Sequence, residues 1–262
     1  MAAHHITYAT GAFRQSAEEL ARSMATYGIA TRIITPEDPG LRALRRQHPE
    51  IMRVKRGAGY WLWKPFLIGR TLAALPDGAI LLYTDAALTA ISDPAPLLSL
   101  ASTDNPIVLF EQGRPVGAPP PQPIGEWTSR RCLRLLDADT DEVRAAPILT
   151  AGYQLYAASD RSRAFVAEWL RCCTIPGVLA DDPDGSAEPT GFRSHRHDQS
   201  VLSVLAHRHG LGLFQDPSQY GWRFPGEPFG QVFDLHRRRT RSLGARLRGA
   251  IRRLQRRRQA AE

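Results

Sequence analysis

The sequence predicts an α/β fold, a central sheet covered by helices, and three observations lead there. Short β-branched runs alternate with longer stretches of helical spacing. One run, Ala79-Ile-Leu-Leu-Tyr-Thr84, is almost continuously apolar, as a strand buried on both faces must be. The chain of 262 residues is 43% hydrophobic and 23% charged, enough apolar matter for one large domain or two small ones.

The elements follow in order. Ile6 to Thr10 reads as a buried strand ending in small polar residues before Gly11. Ser16 with Glu19 has the spacing of a capping box, and Ala17, Leu20, Ala21 and Met24 then recur at helical spacing. Ile29 to Ile34 is a second strand, stopped by Pro36 and Pro39. Strand, helix, strand opens a parallel sheet with covering helices. Pro65 suits the first turn of a helix running to about Leu75. Pro76-Asp77-Gly78 is a turn into the apolar strand that ends at Asp85. Ile107 to Phe110 is another core strand, and the Pro- and Gly-rich run from Arg114 to Gly125 is an irregular surface loop. Ile148 to Ala157 reads as a strand interrupted by Gly152. Ser162 to Cys173 places Phe165, Val166, Trp169 and Leu170 on one helical face, Asp181 to Gly185 is turn chemistry, and a further helix opens near Asp198.

Composition excludes a disordered chain, a collagen-like repeat and a small disulfide scaffold. No apolar run approaches the roughly 18 residues of a membrane span, and the opening residues predict no secretion signal. Cys132, Cys172 and Cys173 are odd in number and lack C-x-x-C spacing, so a reducing cytoplasm fits better than a disulfide or zinc framework. The net charge is +8, but residues 236–262 hold eleven Arg against one Glu, leaving the first 235 residues at −2. The predicted division is a catalytic domain over 1–235 and a basic tail over 236–262.

Three stretches suggest chemistry. Asp85 stands at the carboxyl end of a strand, where open α/β sheets bind ligands. It could bind a divalent cation or a ribose hydroxyl, or simply cap its own turn. Trp61-Leu-Trp63-Lys64-Pro65 sets two indoles and one of only two lysines at a helix start. That is either a stacking wall with a phosphate-seeking ammonium or a core helix entry with a snorkelling Lys. His195-Arg-His-Asp-Gln-Ser200 could supply a general base, a metal ligand or sugar hydrogen bonds, or Asp198 could cap the helix that follows.

Taken together these segments resemble the bacterial GT-A-type glycosyltransferases of capsule and surface-polysaccharide loci. Members of that family carry Gly-Tyr-Trp-x-Trp-Lys-Pro, then a strand ending Tyr-x-Asp-Ala-Gly, and later Arg-His-Asp-Gln-Ser before a helix. The counterparts here are Gly59 to Pro65, Tyr83-Thr-Asp85-Ala-Ala87 and Arg196 to Ser200, with Glu126-Trp-Thr and Thr150-Ala-Gly152 between them. The resemblance spans most of residues 5–222 and implies a GT-A-like fold, a Rossmann-like mixed central sheet flanked by helices. It implies a nucleotide-sugar donor bound by Tyr8, Ala9, Thr10, Tyr83 and Asp85, with Trp61, Trp63 and Lys64 beside it. It puts the acceptor, a saccharide or lipid-linked glycan, around Gly152 and Asp198-Gln199, with Gln154 and His197 beside them, and the catalytic groups at Asp198 and Gln199. Asp198 is the base if the reaction inverts configuration; if it retains configuration, Asp198 and Gln199 hold the sugar and steady an oxocarbenium-like centre. A GT-A D-x-D motif needs a second carboxylate at position 87, where Ala87 stands. Mn²⁺ or Mg²⁺ at Asp85 is therefore in doubt, and Lys64 is the expected partner of the departing diphosphate.

The tail has Leu243, Leu247, Ile251 and Leu254 on one helical face among its arginines. This reads as a basic amphipathic anchor on anionic lipid, at the inner face of the membrane. A plain tail or a nucleic-acid arm are the other readings, nucleic acid the least favoured. Two rival functions remain at this stage: a nucleic-acid-binding protein driven by that tail, and a nucleotidyltransferase on a similar sheet.

Overall fold

The computed structural model describes residues 3–113, 122–181, 187–221 and 229–236. The arginine tail from residue 237, most of the Pro-rich run (114–121) and the turn at 182–185 lie outside the described residues.

The strands are β1 (Ala3–Tyr8), β2 (Thr31–Ile34), β3 (Ile80–Thr84), β4 (Leu88–Ala90), β5 (Ile107–Glu111), β6 (Leu149–Ala157), β7 (Leu213–Phe214) and β8 (Phe233–Leu235). Six of them form one sheet in the order β2-β1-β3-β6-β5-β7, while β4 and β8 form an antiparallel pair. β1 runs parallel to β2 and β3, whereas β6 is antiparallel to both β3 and β5. The fold is thus an α/β arrangement, a mixed central sheet flanked by helices, in keeping with the GT-A-like expectation. The sequence shows the parallel opening of that sheet, but not the reversal at β6.

The longer helices are α1 (Arg14–Ala25), α2 (Pro39–Gln47), α3 (Trp63–Ala74), α4 (Asp160–Cys173) and α5 (Asp198–Arg208). All five residues of β3 are buried because the sheet is covered twice. Leu81 and Tyr83 join Ile6, Trp169 and Val201 in the core on one face. Ile80 and Leu82 join Leu20, Met24, Tyr153 and Phe233 on the other.

Local chemistry explains the helix starts, with two differences from expectation. α1 begins at Arg14 with Phe13 at its N-cap and Ser16 buried inside the helix, so Ser16 does not cap it. The helix is continued from a 3-10 turn at Gly11–Phe13, which has already turned the chain. The Pro36–Pro39 stretch does stop β2, and it also starts α2. Asp38 accepts the N–H groups of Gly40 and Leu41 at 2.8 and 3.3 Å, with Pro39 in the first turn. Arg70 of α3 grips the same carboxylate at 2.6 and 2.7 Å, and those bonds hold Asp38 down to about 2. α4 opens with a reciprocal capping box between Ser159 and Ser162. β6 passes through Gly152 as one nine-residue strand, and the irregularity lies in its register with β5 between Val108 and Phe110.

Candidate active site

The strand order reverses at β1: the chain goes to β2 on one side and returns to β3 on the other. Open α/β sheets leave a crevice at that point, beyond the carboxyl ends of the strands. Asp85 directly follows β3 at that carboxyl end. Its backbone N–H bonds Gly152 O at 2.7 Å, and the buried Tyr83 hydroxyl donates to Asp85 Oδ1 at 2.6 Å. A Cβ on Gly152 would stand 3.6 Å from Asp85 Oδ2, so the glycine keeps that side of the carboxylate open. Burial, then the Asp85 charge, pushes the Tyr83 phenol well above its ordinary value, which keeps it a hydrogen-bond donor.

Lys64, in the first turn of α3, points its ammonium at the same place. Nζ donates to Ala151 O at 2.9 Å and pairs with Asp85 Oδ1 at 3.2 Å and Asp198 Oδ2 at 3.3 Å. Its side chain is 3% exposed, that of Asp198 5%, and that of Asp85 38%. Burial opposes the lysine's charge, but Asp198 and Asp85 outweigh it and raise the lysine's pKa. Burial lifts Asp198 to about 6 against the pull of Lys64, and the Asp85 charge adds to the rise. Two carboxylates therefore share one ammonium, and the inner carboxylate takes up a proton near pH 6.

The segment before Lys64 explains how a lysine comes to be buried. Gly57, Ala58, Gly59, Tyr60 and Trp61 all have positive φ, between 48° and 100°. They make one left-handed helical turn, with Trp61 N–H bonding Gly57 O at 3.2 Å. A Cβ at Gly59 would meet Met52 Sδ at 2.7 Å, so this position needs glycine for space as well as for its φ of +100°. Trp63 Nε1 donates to Gly57 O at 2.8 Å and the indole lies against Tyr8, ring centroids 4.0 Å apart.

His197 locks this turn to the start of α5. Its ring stacks on Tyr60 and Trp61 with centroids 4.7 and 5.4 Å away. Nδ1 donates to Leu179 O at 2.8 Å, since a carbonyl only accepts, so Nε2 is the acceptor for Arg56 Nε at 2.7 Å. Burial lowers the pKa of His197, in keeping with a neutral ring. Its φ of 53° is a further strained position in a cluster of them.

The sequence-derived candidates divide accordingly. Lys64, Asp85, Asp198 and Tyr83 come together as one cluster, with Gly152 beside it. Tyr8 ends β1 against Trp63, Ala9 is buried with its N–H on Ile34 O, and Thr10 starts the 3-10 turn half-exposed. Expectations for five residues need correction. Gln154 is fully buried in the sheet, bonding Ala151 O and accepting from Tyr156, and has no surface for an acceptor. His197 is 2% exposed with both ring nitrogens engaged, so it braces the site instead of lining it. Lys64 is held by three oxygens inside the protein, so it orders the carboxylates and does not reach out to a phosphate. Trp61 and Trp63 likewise spend their rings on His197 and Tyr8. Asp198 does not merely cap α5: His197 occupies the N-cap position, and the Asp198 carboxylate turns to Lys64. Sequence reading missed the Ala151 carbonyl, Arg56 and Gln112. No motif marks Arg56 or Gln112, though Gln112, which accepts from Gln199 Nε2, does follow a core strand; Ala151 lies in the Thr150-Ala-Gly152 segment, but its letters do not show where its carbonyl points.

The donor set does not make a resident divalent-metal site. Asp85 Oδ1 is already engaged by Tyr83 and Lys64, Ala87 offers no oxygen from its side chain, and the ammonium stands where a second cation would be repelled. Among the described residues no group of three or more His, Cys, Asp or Glu side chains gathers for a metal.

No family model and no curated protein matches the sequence. Solved structures do. Mouse xyloside xylosyltransferase 1, in its apo form, is 12% identical, overlaps 89% of this chain and 97% of its own, and has a TM-score of 0.49. A glycosyltransferase involved in the glycosylation of the major capsid of PBCV-1 is 9% identical over 90% and 94%, with a TM-score of 0.45. GlyE of Streptococcus pneumoniae TIGR4, apo form, is 13% identical over 90% of this chain, which spans about half (54%) of that one, with a TM-score of 0.46. All three neighbours are glycosyltransferases. They are likenesses of overall shape at low identity, and the chemistry below is read from the side chains.

Proposed function

We propose that the protein transfers a glycosyl group from a nucleoside-diphosphate sugar to a hydroxyl of an acceptor. The observation that carries this reading is the Lys64 ammonium held between Asp85 and Asp198 where the strand order reverses. In the reaction, the bond from the anomeric carbon to the diphosphate oxygen breaks and a bond to the acceptor oxygen forms. The acceptor's proton passes to the carboxylate pair. Asp85 is the member that substrate can touch, and Asp198 shares Lys64 with it. Their negative charge also favours the positive charge that builds on the sugar ring. On this reading Tyr8 and Thr10, at the carboxyl end of β1, serve the donor, and Gly152 leaves the acceptor room beside Asp85.

The resemblance of the motifs to capsule-locus enzymes supports a role in bacterial surface-glycan synthesis. The amphipathic pattern of residues 243–254 supports attachment to the inner face of a membrane, near a lipid-linked acceptor. Among the described residues no helix is long and apolar enough to cross a bilayer.

The test is a thermal-shift panel of UDP-, GDP-, CMP- and dTDP-sugars, followed by product analysis. A UDP-, GDP- or dTDP-sugar raises the melting temperature, Asp85→Ala removes the shift, and turnover releases the nucleoside diphosphate; a shift with the CMP-sugar alone, which would release CMP, counts against a diphosphate donor. No shift with any donor, or release of pyrophosphate as from a nucleotidyltransferase, overturns the reading.

A further inference from the structure

The cations of the folded domain crowd one short stretch. Residues 42–56 hold Arg42, Arg45, Arg46, Arg53, Lys55 and Arg56 against Glu50, a net charge of +5, while the first 235 residues together carry −2. Two of the six are engaged within the fold. Arg45 donates to Pro36 O at 2.9 Å, and Arg56 is spent on His197 and Asp181. Arg42, Arg46, Arg53 and Lys55 are exposed and make no ion pair among the described residues. Arg70, Arg144 and Arg163, by contrast, each grip an aspartate. Like charges kept this close without counter-charges repel one another, and an anionic partner relieves that repulsion.

A cavity opens in the same stretch. It encloses about 170 Å³ between the short helix Pro49–Met52 and residues 175–180, and Ile51, Val54, Tyr60, Ile175, Leu179 and Ala180 wall it. One water takes about 30 Å³ in the liquid, so the space holds about half a dozen groups of that size, the end of an alkyl or isoprenoid chain. Val54 stands between Arg53 and Lys55 in the chain, so two of the unpaired cations flank this wall. Arg42 and Arg46, four residues apart, extend the basic stretch along α2. Glu50 is the one carboxylate on the wall, 3.8 Å from His48 Nδ1, and Asp181, next to Ala180, is paired with Arg56 at 3.5 Å. Tyr60 also stacks on His197, so the cavity adjoins the brace of the candidate active site.

We propose that this cavity and its cations bind an anionic lipid, with a chain end in the cavity and the phosphate on Arg53 and Lys55. The folded domain then carries a lipid site of its own, independent of residues 236–262. An apolar hollow beside unpaired cations matches an amphiphile with a charged head. A nucleic-acid strand would ask for free aromatic faces to stack on, and the rings of Tyr60 and Trp61 are stacked on His197. The site lies apart from the carboxylate cluster and needs no sugar donor, so it stands or falls separately from the glycosyltransferase reading.

The experiment titrates the full chain by calorimetry with octyl phosphate below its micelle concentration, with octyl glucoside and with inorganic phosphate. It also sediments the protein with vesicles of phosphatidylglycerol or of phosphatidylcholine. Octyl phosphate binds about tenfold tighter than octyl glucoside or inorganic phosphate, since it alone has both halves of the ligand. Arg53→Glu with Lys55→Glu weakens octyl phosphate about tenfold and binding to phosphatidylglycerol vesicles severalfold, with little protein on phosphatidylcholine in any case. Val54→Trp, which fills the cavity, weakens octyl phosphate to a similar extent; should it not fold, the exposed pair at 53 and 55 decides. Arg252→Glu with Arg253→Glu, in the tail, leaves octyl phosphate within about twofold. No octyl phosphate bound, equal affinity for either half alone, no loss in the 53 and 55 pair, loss in the tail pair instead, or displacement by a tighter-binding single-stranded oligonucleotide overturns the proposal. Lipid binding with this pattern but no melting shift with any nucleotide sugar sinks the glycosyltransferase reading alone.

Discussion

Two buried aspartates flank β6, and their partners set them apart. Asp216, 6% exposed, accepts the Tyr153 hydroxyl, the Ser218 N–H at 2.7 Å and the Gly113 N–H at 2.9 Å. Neutral donors fill its lone pairs, so the carboxylate clamps the end of β5 to the 216–221 loop. Asp198 is as deeply buried, but its Oδ2 faces an ammonium that Asp85 shares, and its pKa rises to about 6. A carboxylate satisfied by N–H and O–H donors is architecture. One left to divide a single cation with another carboxylate is poised to exchange a proton.

The largest expected effect breaks the second arrangement outright. Lys64→Met leaves two carboxylates facing each other without a cation, a loss of about 3–5 kcal/mol of stability by urea denaturation near neutral pH. The loss shrinks at pH 5, where Asp198 is protonated in the fold and less charge is uncompensated. A loss independent of pH would mean that Asp198 does not titrate with the cluster.

Next, the two aspartates exchange signatures. Asp198→Asn lowers turnover of the best donor on the order of a hundredfold. It removes the acid limb near pH 6 from the rate profile and costs little stability. Its folded pKa is raised, so its ionisable group stabilises the fold fully only below the unfolded value, and that contribution is lost as pH rises through about 6. Above that pH the Asn variant melts no lower than wild type on this account. The groups facing it are Lys64, Asp85, Tyr83 and Cys173. Asp216→Asn does the reverse, losing about 1–3 kcal/mol of stability with turnover per folded molecule within a few fold. A stable Asp216→Asn protein without activity would show that the clamp also serves the chemistry.

The smallest effect sharpens the comparison from outside both clusters. Gly59→Ala forces a methyl against Met52 and strains the left-handed turn, costing about 1–3 kcal/mol by thermal melting. Turnover falls with it, because the turn delivers Lys64; full activity in the variant would uncouple the two.

Much of this was legible beforehand. The apolar pattern marks β1, β3, β5, α1 and α4, because a strand or helix buried in a layered fold carries the pattern of its burial along the chain, and Pro65 marks the start of α3. Asp85, Lys64 and Asp198 stood out as a carboxylate ending a strand, a rare lysine and an acid opening a helix. What local reading could not supply was direction. Gln154 and His197 look like ligand-binding residues by type, and the fold spends their polar atoms on Ala151, Tyr156, Leu179 and Arg56 instead.

From its own letters the chain determined the longer strands of the main sheet and the helices α1, α3, α4 and α5, since those depend on near neighbours, but not α2 or the short strands β4, β7 and β8. Only the folded molecule decided that β6 runs antiparallel, that a left-handed turn buries Lys64, and that positions 64, 85 and 198 share one ammonium. Residues so far apart meet only through the packing of the whole sheet, and the partner each polar atom finds there separates a reactive carboxylate from a structural one.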